Sequence, residues 1–295
     1  MPWGDGDKIP VRTLMKPHIL VISYFFPPYK RVGGRRWAKH CKYLDIFGVN
    51  FHVLTGEFLN SNSSWDNDIE EYKQNITRIK LRDNYQPYFK KHLPKDIIDK
   101  VKWKLSLYKW KLEKNTLTGN YNDISINTVN DFCKEARKII ESKPINTVIL
   151  SVGPFRYSEI LVQLKKEFPN IKFVIDYRDR REDGYAGLTE TQKMFENNQQ
   201  IEVLKQVDLI ITVNDHISEE ISKINKSKKV YTMPHCVDTD FLRLNIHTEN
   251  KNAEGKFIYG GELYNGLENE VELFVKFKQV FETIQTQKSG AEFYL

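Results

Sequence analysis

The chain has 295 residues, of which 40% are hydrophobic and 28% charged, and it carries a formal net charge of +6. Its length suits about two globular domains, and no apolar run reaches the roughly 18 residues that a membrane-spanning helix needs. The cysteines, Cys41, Cys133 and Cys236, lack the spacing of a zinc site or a disulfide framework, so we expect no metal and a reducing, cytoplasmic environment. The excess of positive charge favours an acidic partner.

Residues 1–15 are polar and lack the apolar core of a signal peptide, so we expect them to be a loose N-terminal extension. From residue 16 to residue 244, apolar runs alternate with segments of helical periodicity. The apolar runs predict strands at 18–25, 50–55, 146–151, 172–177, 208–213 and 229–233. Strands of this kind, alternating with helices, predict an α/β fold: a doubly wound, Rossmann-like parallel sheet covered by helices on both faces.

Amphipathic segments between the strands predict the helices. Their apolar faces comprise Trp37, Cys41 and Leu44 in the first, Phe132, Ala136, Ile139 and Ile140 in the second, Tyr157, Ile160, Leu161, Leu164 and Phe168 in the third, and Ile217, Ile221 and Ile224 in the fourth. At the start of the second, Thr128 and Asp131 have the spacing of a capping box.

Residues 245–255 are polar and predict a linker. Beyond it, residues 256–261 predict a new strand, a helix with apolar positions on two sides follows, and residues 291–295 predict the opening of another strand. A doubly wound domain needs roughly 100 residues to close a core. We therefore expect residues 256–295 to be the start of an incomplete second Rossmann-like domain, whose remainder is truncated or supplied by another chain.

Gly33 and Gly34 follow the first predicted strand, and Arg35 and Arg36 come directly after them at the start of a helix. Glycines let the backbone approach a ligand closely, and a helix N-terminus presents unpaired N–H groups to an anion. We therefore predict a loop that binds the phosphates of a substrate; the alternative is a plain strand–helix turn with solvated arginines. The chain has neither a GxGxxG nor a GxxxxGK[ST] motif, which disfavours a dinucleotide oxidoreductase and a P-loop ATPase.

Asp176, Arg178 and Asp179 stand at the carboxyl end of an apolar strand, where α/β sheets bind their ligands. Two carboxylates beside an arginine can supply a base, an acceptor for a substrate hydroxyl and a phosphate clamp. The alternative is a surface charge cluster, because charged residues continue to position 183.

The ends of two further strands supply candidate residues for lining a ligand-binding cleft at the same edge of the sheet. Gly153 and Pro154 end one strand, and His235 and Asp238 follow another. The alternative for the first pair is a tight structural turn, and for the histidine a purely structural role.

Residues 88–114 combine many lysines with aromatic side chains, and Ile97, Val101, Leu105, Tyr108 and Leu112 share one helical face. This pattern predicts a helix lying on an anionic membrane surface. Its surface contacts are predicted to be Lys100, Lys102, Trp103, Lys104, Trp110 and Lys111. The alternatives are a core helix with a solvated lysine face and a nucleic-acid contact, although no nucleic-acid-reading motif is present and we expect no nucleic-acid partner.

Four landmarks occur in a defined order along the chain. They are the opening strand with Phe26-Pro27-Pro28 and the paired glycines, the strand end at 176–179, the segment 207–214 with its following helix, and the segments 230–238 and 257–264 on either side of the linker. With these landmarks, residues 16–295 resemble the GT-B fold glycosyltransferases of family four, the glycosyl transferases group 1. Members of that family typically carry Asn-Gly where this chain has His235 and Cys236.

The resemblance implies two facing Rossmann-like domains with an active site between them. The implied reaction transfers a sugar from a nucleoside diphosphate sugar to an acceptor, with retention at the anomeric carbon and without a metal cofactor. The implied residues are Asp176 and Asp179 for orienting the acceptor hydroxyl, Gly33 and Gly34 for contacting the donor phosphates, and Arg35, Arg36 and Arg178 as clamps. Together with the basic helix, this suggests a lipid-linked or saccharide acceptor at the inner face of the cell membrane, in the assembly of a surface polysaccharide such as lipopolysaccharide or capsule.

The resemblance leaves two alternatives. The donor-binding glutamates of the family would lie beyond Leu295, so the chain could be a non-catalytic, acceptor-binding half that works with a partner chain. It could also be a GT-B-type nucleotide-sugar epimerase, which would turn over the nucleotide sugar without an acceptor.

Overall fold

The computed structural model describes residues 16–29, 32–57, 69–81, 94–116, 119–120, 123–236, 256–258, 275, 278–279, 282 and 292–294. The chain divides into two compact units, Met1–Cys236 and Val237–Leu295. The predicted N-terminal extension and the linker at 245–255 lie outside the described residues.

The first unit is an α/β layer structure built on a seven-stranded parallel sheet. Its strands are β1 (His18–Ser23), β2 (Asn50–Glu57), β3 (Ile76–Lys80), β4 (Thr147–Val152), β5 (Lys172–Tyr177), β6 (Leu209–Thr212) and β7 (Val230–Thr232). They are arranged in the order β3-β2-β1-β4-β5-β6-β7, and every neighbouring pair is parallel. The predicted doubly wound fold is confirmed, and the strand order reverses between β1 and β4, the place where such sheets form a ligand crevice.

Helices connect the strands and cover both faces of the sheet. They are α1 (Val32–Ile46), α2 (Ile97–Thr116), α3 (Val129–Ser142), α4 (Glu159–Glu167), α5 (Glu190–Gln206) and α6 (Asp215–Ile224). Alternate residues of β1 enter different cores: Leu20 and Ile22 pack with α3 and α4 on one face, and Ile19 and Val21 pack with Trp37 of α1 on the other. A strand buried on both sides reads as continuously apolar, which is why β1 was recognisable in the sequence.

The helix ends depart from the prediction at one point. The capping box expected of Thr128 and Asp131 is wrong, because Thr128 makes no side-chain cap and its hydroxyl donates to the carbonyl oxygen of Ser125 at 2.8 Å. A short 3₁₀ turn leads directly into α3 there, so Thr128 already has a right-handed helical backbone. A complete capping box is found instead on α5, between Thr189 and Gln192.

In the second unit, the described residues include two short strands, β8 (Lys256–Ile258) and β9 (Glu292–Tyr294), which pair in parallel. Residues 275, 278, 279 and 282 between them are helical. Strands were predicted at both places. A parallel pair needs a crossover connection, usually a helix, so this arrangement is one βα unit with its following strand.

Candidate functional site

The carboxyl ends of β1, β4, β5 and β7 carry most of the residues that the sequence marked. Gly33 and Gly34 lie in the first turn of α1, and Gly153 and Pro154 follow β4. Because all these strands are parallel, their carboxyl ends lie along one edge of the sheet. The structure thus brings four segments, separated by up to about 200 residues, to the reversal point of the strand order.

The guanidinium of Arg178 is seated between the two glycine turns. Its Nε donates to the carbonyl oxygen of Val152 at 3.2 Å, and its Nη2 donates to that of Gly153 at 2.9 Å. A Cβ on Gly33 would collide with Nη1 of the same guanidinium, and a Cβ on Gly153 would lie 2.6 Å from Nη2. Gly153 also has a φ of +113°, a conformation that glycine adopts without strain. Both glycines are therefore needed to make room for Arg178.

This arrangement places a positive group against the positive end of a helix. The N-terminus of α1 carries a partial positive charge, and the first turn of α1 contains no acidic side chain. Within the part of the chain that the structure describes, Nη1 of Arg178 donates to no hydrogen-bond acceptor. Two like charges in contact are more favourable when an anion offsets them, so the point beside Gly33 is a candidate anion site.

Asp179, Pro154 and Arg35 border this site. The Asp179 side chain is exposed, and its Oδ2 would lie 3.4 Å from a Cβ on Gly153. Pro154 is half-buried after a cis peptide bond, and Arg35 is half-buried on the first turn of α1. Asp179 is thus the carboxylate of the 176–179 strand end that solvent and a ligand can reach.

Asp176 and Arg36 occupy a different position, because they pair with each other in the interior. The exposed fractions of their side chains are 0% and 2%. Arg36 donates to both carboxylate oxygens, from Nε at 3.1 Å and from Nη2 at 3.2 Å, and the indole of Trp37 donates to the same carboxylate at 2.7 Å. In this conformation neither group is open to a ligand, which differs from the direct ligand contacts expected from the sequence.

Arg36 also holds the segment that leaves β7. Its Nη2 donates to the carbonyl oxygen of Met233 at 2.8 Å, and its Nη1 lies 3.4 Å from that of Pro234 and 3.3 Å from Nδ1 of His235. Burial and the positive charges of Arg36 and Arg178 lower the pKa of His235. His235 therefore stands at the site as a neutral imidazole near pH 7.

A second buried network supports the site loops from behind. Asp123 accepts hydrogen bonds from the backbone N–H groups of Phe155 at 2.8 Å and Arg156 at 2.9 Å. Glu196, on α5, accepts from Nε of Arg181 at 3.0 Å and from Nη1 of Arg156 at 3.3 Å. These contacts hold the turns that follow β4 and β5, and those turns determine the position of the Arg178 guanidinium. Sequence reasoning missed this network, because its members are far apart in the chain and no motif marks them.

The predicted basic helix is present as α2, and its apolar face is exposed. The exposed apolar side chains are Ile97, Ile98, Val101, Leu105, Tyr108 and Leu112. Lys100, Lys102 and Lys104 are exposed among them, Trp103 is half-buried, and the side chains of Trp110 and Lys111 lie outside the described residues. An exposed apolar stripe flanked by lysines is unusual on a free surface and typical of a contact surface.

Three other observations complete the account of the sequence candidates. Asp238 lies outside the described residues. Among the residues that are described, no cluster of histidine, cysteine and carboxylate side chains has the arrangement of a metal site. None of the helices, as far as they are described, has the length and hydropathy needed to cross a bilayer.

No protein-family model and no curated protein sequence matches the chain. Among solved structures, it is similar to the N-terminal domain of Candida albicans trehalose-6-phosphate phosphatase, with 12% identity, a TM-score of 0.49 and coverage of 94% of this chain and 56% of the other. It is also similar to Phytolacca americana UGT2 complexed with UDP-2fluoro-glucose and pterostilbene, with 10% identity, a TM-score of 0.46 and coverage of 89% and 64%.

A third similar structure is an alpha-glucosyltransferase in complex with UDP and a 13-mer DNA, with 10% identity, a TM-score of 0.38 and coverage of 77% and 45%. The chain thus spans between 45% and 64% of the length of these three proteins. Similarities of this size do not identify a family.

Proposed function

We propose that the chain is a glycosyltransferase, or the acceptor-side part of one, that uses a nucleoside diphosphate sugar. The observation that carries the proposal is the position of the Arg178 guanidinium. It lies beside Gly33, so the guanidinium and the N-terminus of α1 are next to each other. This position lies where the strand order reverses, which is where doubly wound sheets bind nucleotides. The order of the sequence landmarks supports the same function.

Each polar group has a definite part in this proposal. The backbone N–H groups at Gly33 and Gly34, together with the guanidinium of Arg178, contact the diphosphate and offset the negative charge that grows on it as the sugar leaves. Exposed Asp179 accepts a hydrogen bond from the attacking hydroxyl of the acceptor. Arg35 adds positive charge on the first turn of α1. In this proposal the transfer proceeds with retention at the anomeric carbon. It needs no metal, because these fixed positive groups stabilise the leaving diphosphate in place of a metal cation.

The test is a measurement of binding to inorganic pyrophosphate, which carries the charge of the donor but no base or sugar. Arg178→Gln removes the charged donor, and a hydrogen bond to a charged group is typically worth about 1.5–3 kcal/mol, so the dissociation constant should rise about 10- to 140-fold. The matched control is Arg137→Gln, since Arg137 lies on α3 and forms a half-exposed pair with Glu167 at 2.5 Å. Equal affinity of wild type and Arg178→Gln, measured by calorimetry, would remove the basis of the proposal.

We further propose that the acceptor is lipid-linked and that α2 docks the chain on an anionic membrane for the assembly of a surface polysaccharide. Support comes from the exposed apolar stripe of α2, with Val101 and Leu105 on it, and from the exposed lysines beside it. Apolar side chains enter the acyl boundary while lysines contact anionic headgroups. Flotation with vesicles tests this: binding should require anionic lipid, and equal binding to neutral vesicles would contradict it.

A transfer assay separates this function from its two alternatives. Release of nucleoside diphosphate only in the presence of an acceptor supports the glycosyltransferase. Conversion of the nucleotide sugar without an acceptor would indicate an epimerase. Pyrophosphate binding without any turnover would indicate a non-catalytic half that works with a partner chain.

A further inference from the structure

The side chain of Arg36 uses all three of its nitrogen atoms to join parts of the fold. Nε and Nη2 bind the carboxylate of Asp176, and Nη2 and Nη1 reach the carbonyl oxygens of Met233 and Pro234. With 2% of its side chain exposed, Arg36 has little freedom to move. The exit of β7 is therefore tied to the start of α1, next to the glycines at the anion site.

The contact between Arg36 and His235 determines which ring nitrogen of the histidine carries the proton. A guanidinium can only donate hydrogen bonds, so Nδ1 of His235, at 3.3 Å from Nη1, must be the acceptor. The proton of the neutral imidazole is then on Nε2. Over the described part of the chain, that Nε2–H donates to no hydrogen-bond acceptor.

His235 is also close to the candidate site. Its Nδ1 lies 3.3 Å from Nη1 of Arg36, which follows Gly33, Gly34 and Arg35 at the start of α1, and the residue is exposed to solvent. A neutral donor here adds a hydrogen bond without adding a third positive charge beside Arg36 and Arg178. Protonation would turn Nδ1 into a donor and break its contact with Arg36. The hydrogen bond from Arg36 to Nδ1 therefore favours the neutral imidazole over the protonated one.

We propose that the Asp176–Arg36 pair is a positioning clamp that presents Nε2–H of His235 as a hydrogen-bond donor to an oxygen atom of the sugar diphosphate bound beside Arg178. In this role His235 contacts the ligand and Arg36 acts through His235. The inference rests on the proposed function, because it uses the same anion site and the same class of ligand. The oxygen belongs either to a phosphate or to a sugar hydroxyl.

Two substitutions of His235 separate its two nitrogens. In His235→Asn, the amide oxygen can replace Nδ1 as the acceptor for Arg36, but nothing replaces the Nε2 donor. In His235→Gln, the longer side chain can place an amide N–H near the position of Nε2. Asparagine should therefore raise the dissociation constant about tenfold, the value of one lost hydrogen bond, while glutamine should stay within about threefold of wild type.

Calorimetry with inorganic pyrophosphate and with UDP-glucose as probes distinguishes the two kinds of oxygen. Weaker binding of both probes by His235→Asn assigns the hydrogen bond to a phosphate oxygen, and weaker binding of UDP-glucose alone assigns it to the sugar nucleotide beyond the phosphates. Arg36→Lys keeps the charge but loses the planar fork, and it should weaken binding as much as His235→Asn, with no further loss when the two are combined.

The outcomes that overturn the inference are equally definite. Wild-type affinity of His235→Asn for both probes would show that the Nε2 donor contacts no ligand. Equal losses in His235→Asn and His235→Gln would show that the histidine has only a structural role. Failure of the wild-type chain to bind either probe would overturn the proposed function itself, a result that differs from both of these.

Discussion

Asp176→Asn tests the energetic role of the buried pair. The substitution keeps the shape of the side chain but removes its charge, and it puts an amide N–H where a carboxylate oxygen now accepts. Asp176 accepts from two nitrogens of Arg36, at 3.1 and 3.2 Å, and from the indole of Trp37 at 2.7 Å. An asparagine can satisfy only some of these donors, and Arg36 would remain buried without its counter-charge.

The structure sets the size of the expected effect. Breaking a fully buried ion pair by neutralising one partner typically costs about 3–5 kcal/mol. The backbone carbonyl oxygens of Met233 and Pro234 still accept from Arg36 in the variant. We therefore expect the lower end of this range, about 3 kcal/mol, in the free energy of unfolding of the first unit.

Urea denaturation followed by circular dichroism measures this loss. The matched control is Glu70→Gln, whose partner Lys73 is exposed, and which should change the free energy of unfolding by no more than about 0.5 kcal/mol. The double variant Asp176→Asn, Arg36→Met removes both charges and should recover part of the loss. A change below about 1 kcal/mol in Asp176→Asn would show that Arg36 is not held by this carboxylate, and the reasoning about the clamp would fail.

Three further predictions concern other parts of the first unit. In Gly33→Ala the new methyl group conflicts with the flexible end of the Arg178 guanidinium, so the variant should unfold at nearly the wild-type temperature but bind pyrophosphate at least about tenfold more weakly by calorimetry. In Gly34→Ala the methyl group meets backbone atoms at 3.1–3.2 Å, and the melting temperature should fall by about 2–4 °C for each kcal/mol of strain. Burial lowers the pKa of His52 to about 4, so only the unfolded chain takes up this proton between pH 6.5 and 4. Wild-type stability should therefore fall as pH drops through that range, by at most about 1.4 kcal/mol per pH unit, and denaturation titrations should show a shallower fall in His52→Gln. Leu105→Asp places a charge on the exposed face of α2 and should abolish flotation with anionic vesicles without lowering the melting temperature, whereas retained flotation would contradict membrane docking by this face.

The success of the strand predictions follows a simple physical rule. The six strands predicted between residues 16 and 244 are all found. β1, β2, β4 and β5 are mostly buried, and strands covered by helices on both faces are continuously apolar. β7, at one edge of the sheet, is an exception, because it was predicted although its residues are mostly exposed. The strand that the sequence did not reveal is β3 at the edge of the sheet, where every side chain is partly exposed. Its residues Thr77 and Arg78 interrupt the apolar pattern, and an edge strand needs no second apolar face.

Some site residues were marked by the local sequence, whereas the partners of others are seen only in the folded structure. Arg178, Gly33 and Gly153 were each marked by their place next to a strand, and the structure brings them together. Asp176 was marked by the same rule, yet its partner Arg36 is 140 residues away in the chain, and only the packed sheet shows that the two are buried together. Asp123 and Glu196 carry no local signal at all.

The sequence by itself determined the α/β alternation, the helices of the first unit other than α5, and the edge of the sheet where charged and glycine residues lie. Each of these depends on hydrophobic periodicity and on turn residues that are close together in the chain. Only the tertiary structure decided which charged groups face solvent and which neutralise one another. Whether a carboxylate serves a substrate or a buried arginine depends on contacts between segments more than a hundred residues apart, and no local pattern encodes the cost of leaving such a charge unpaired.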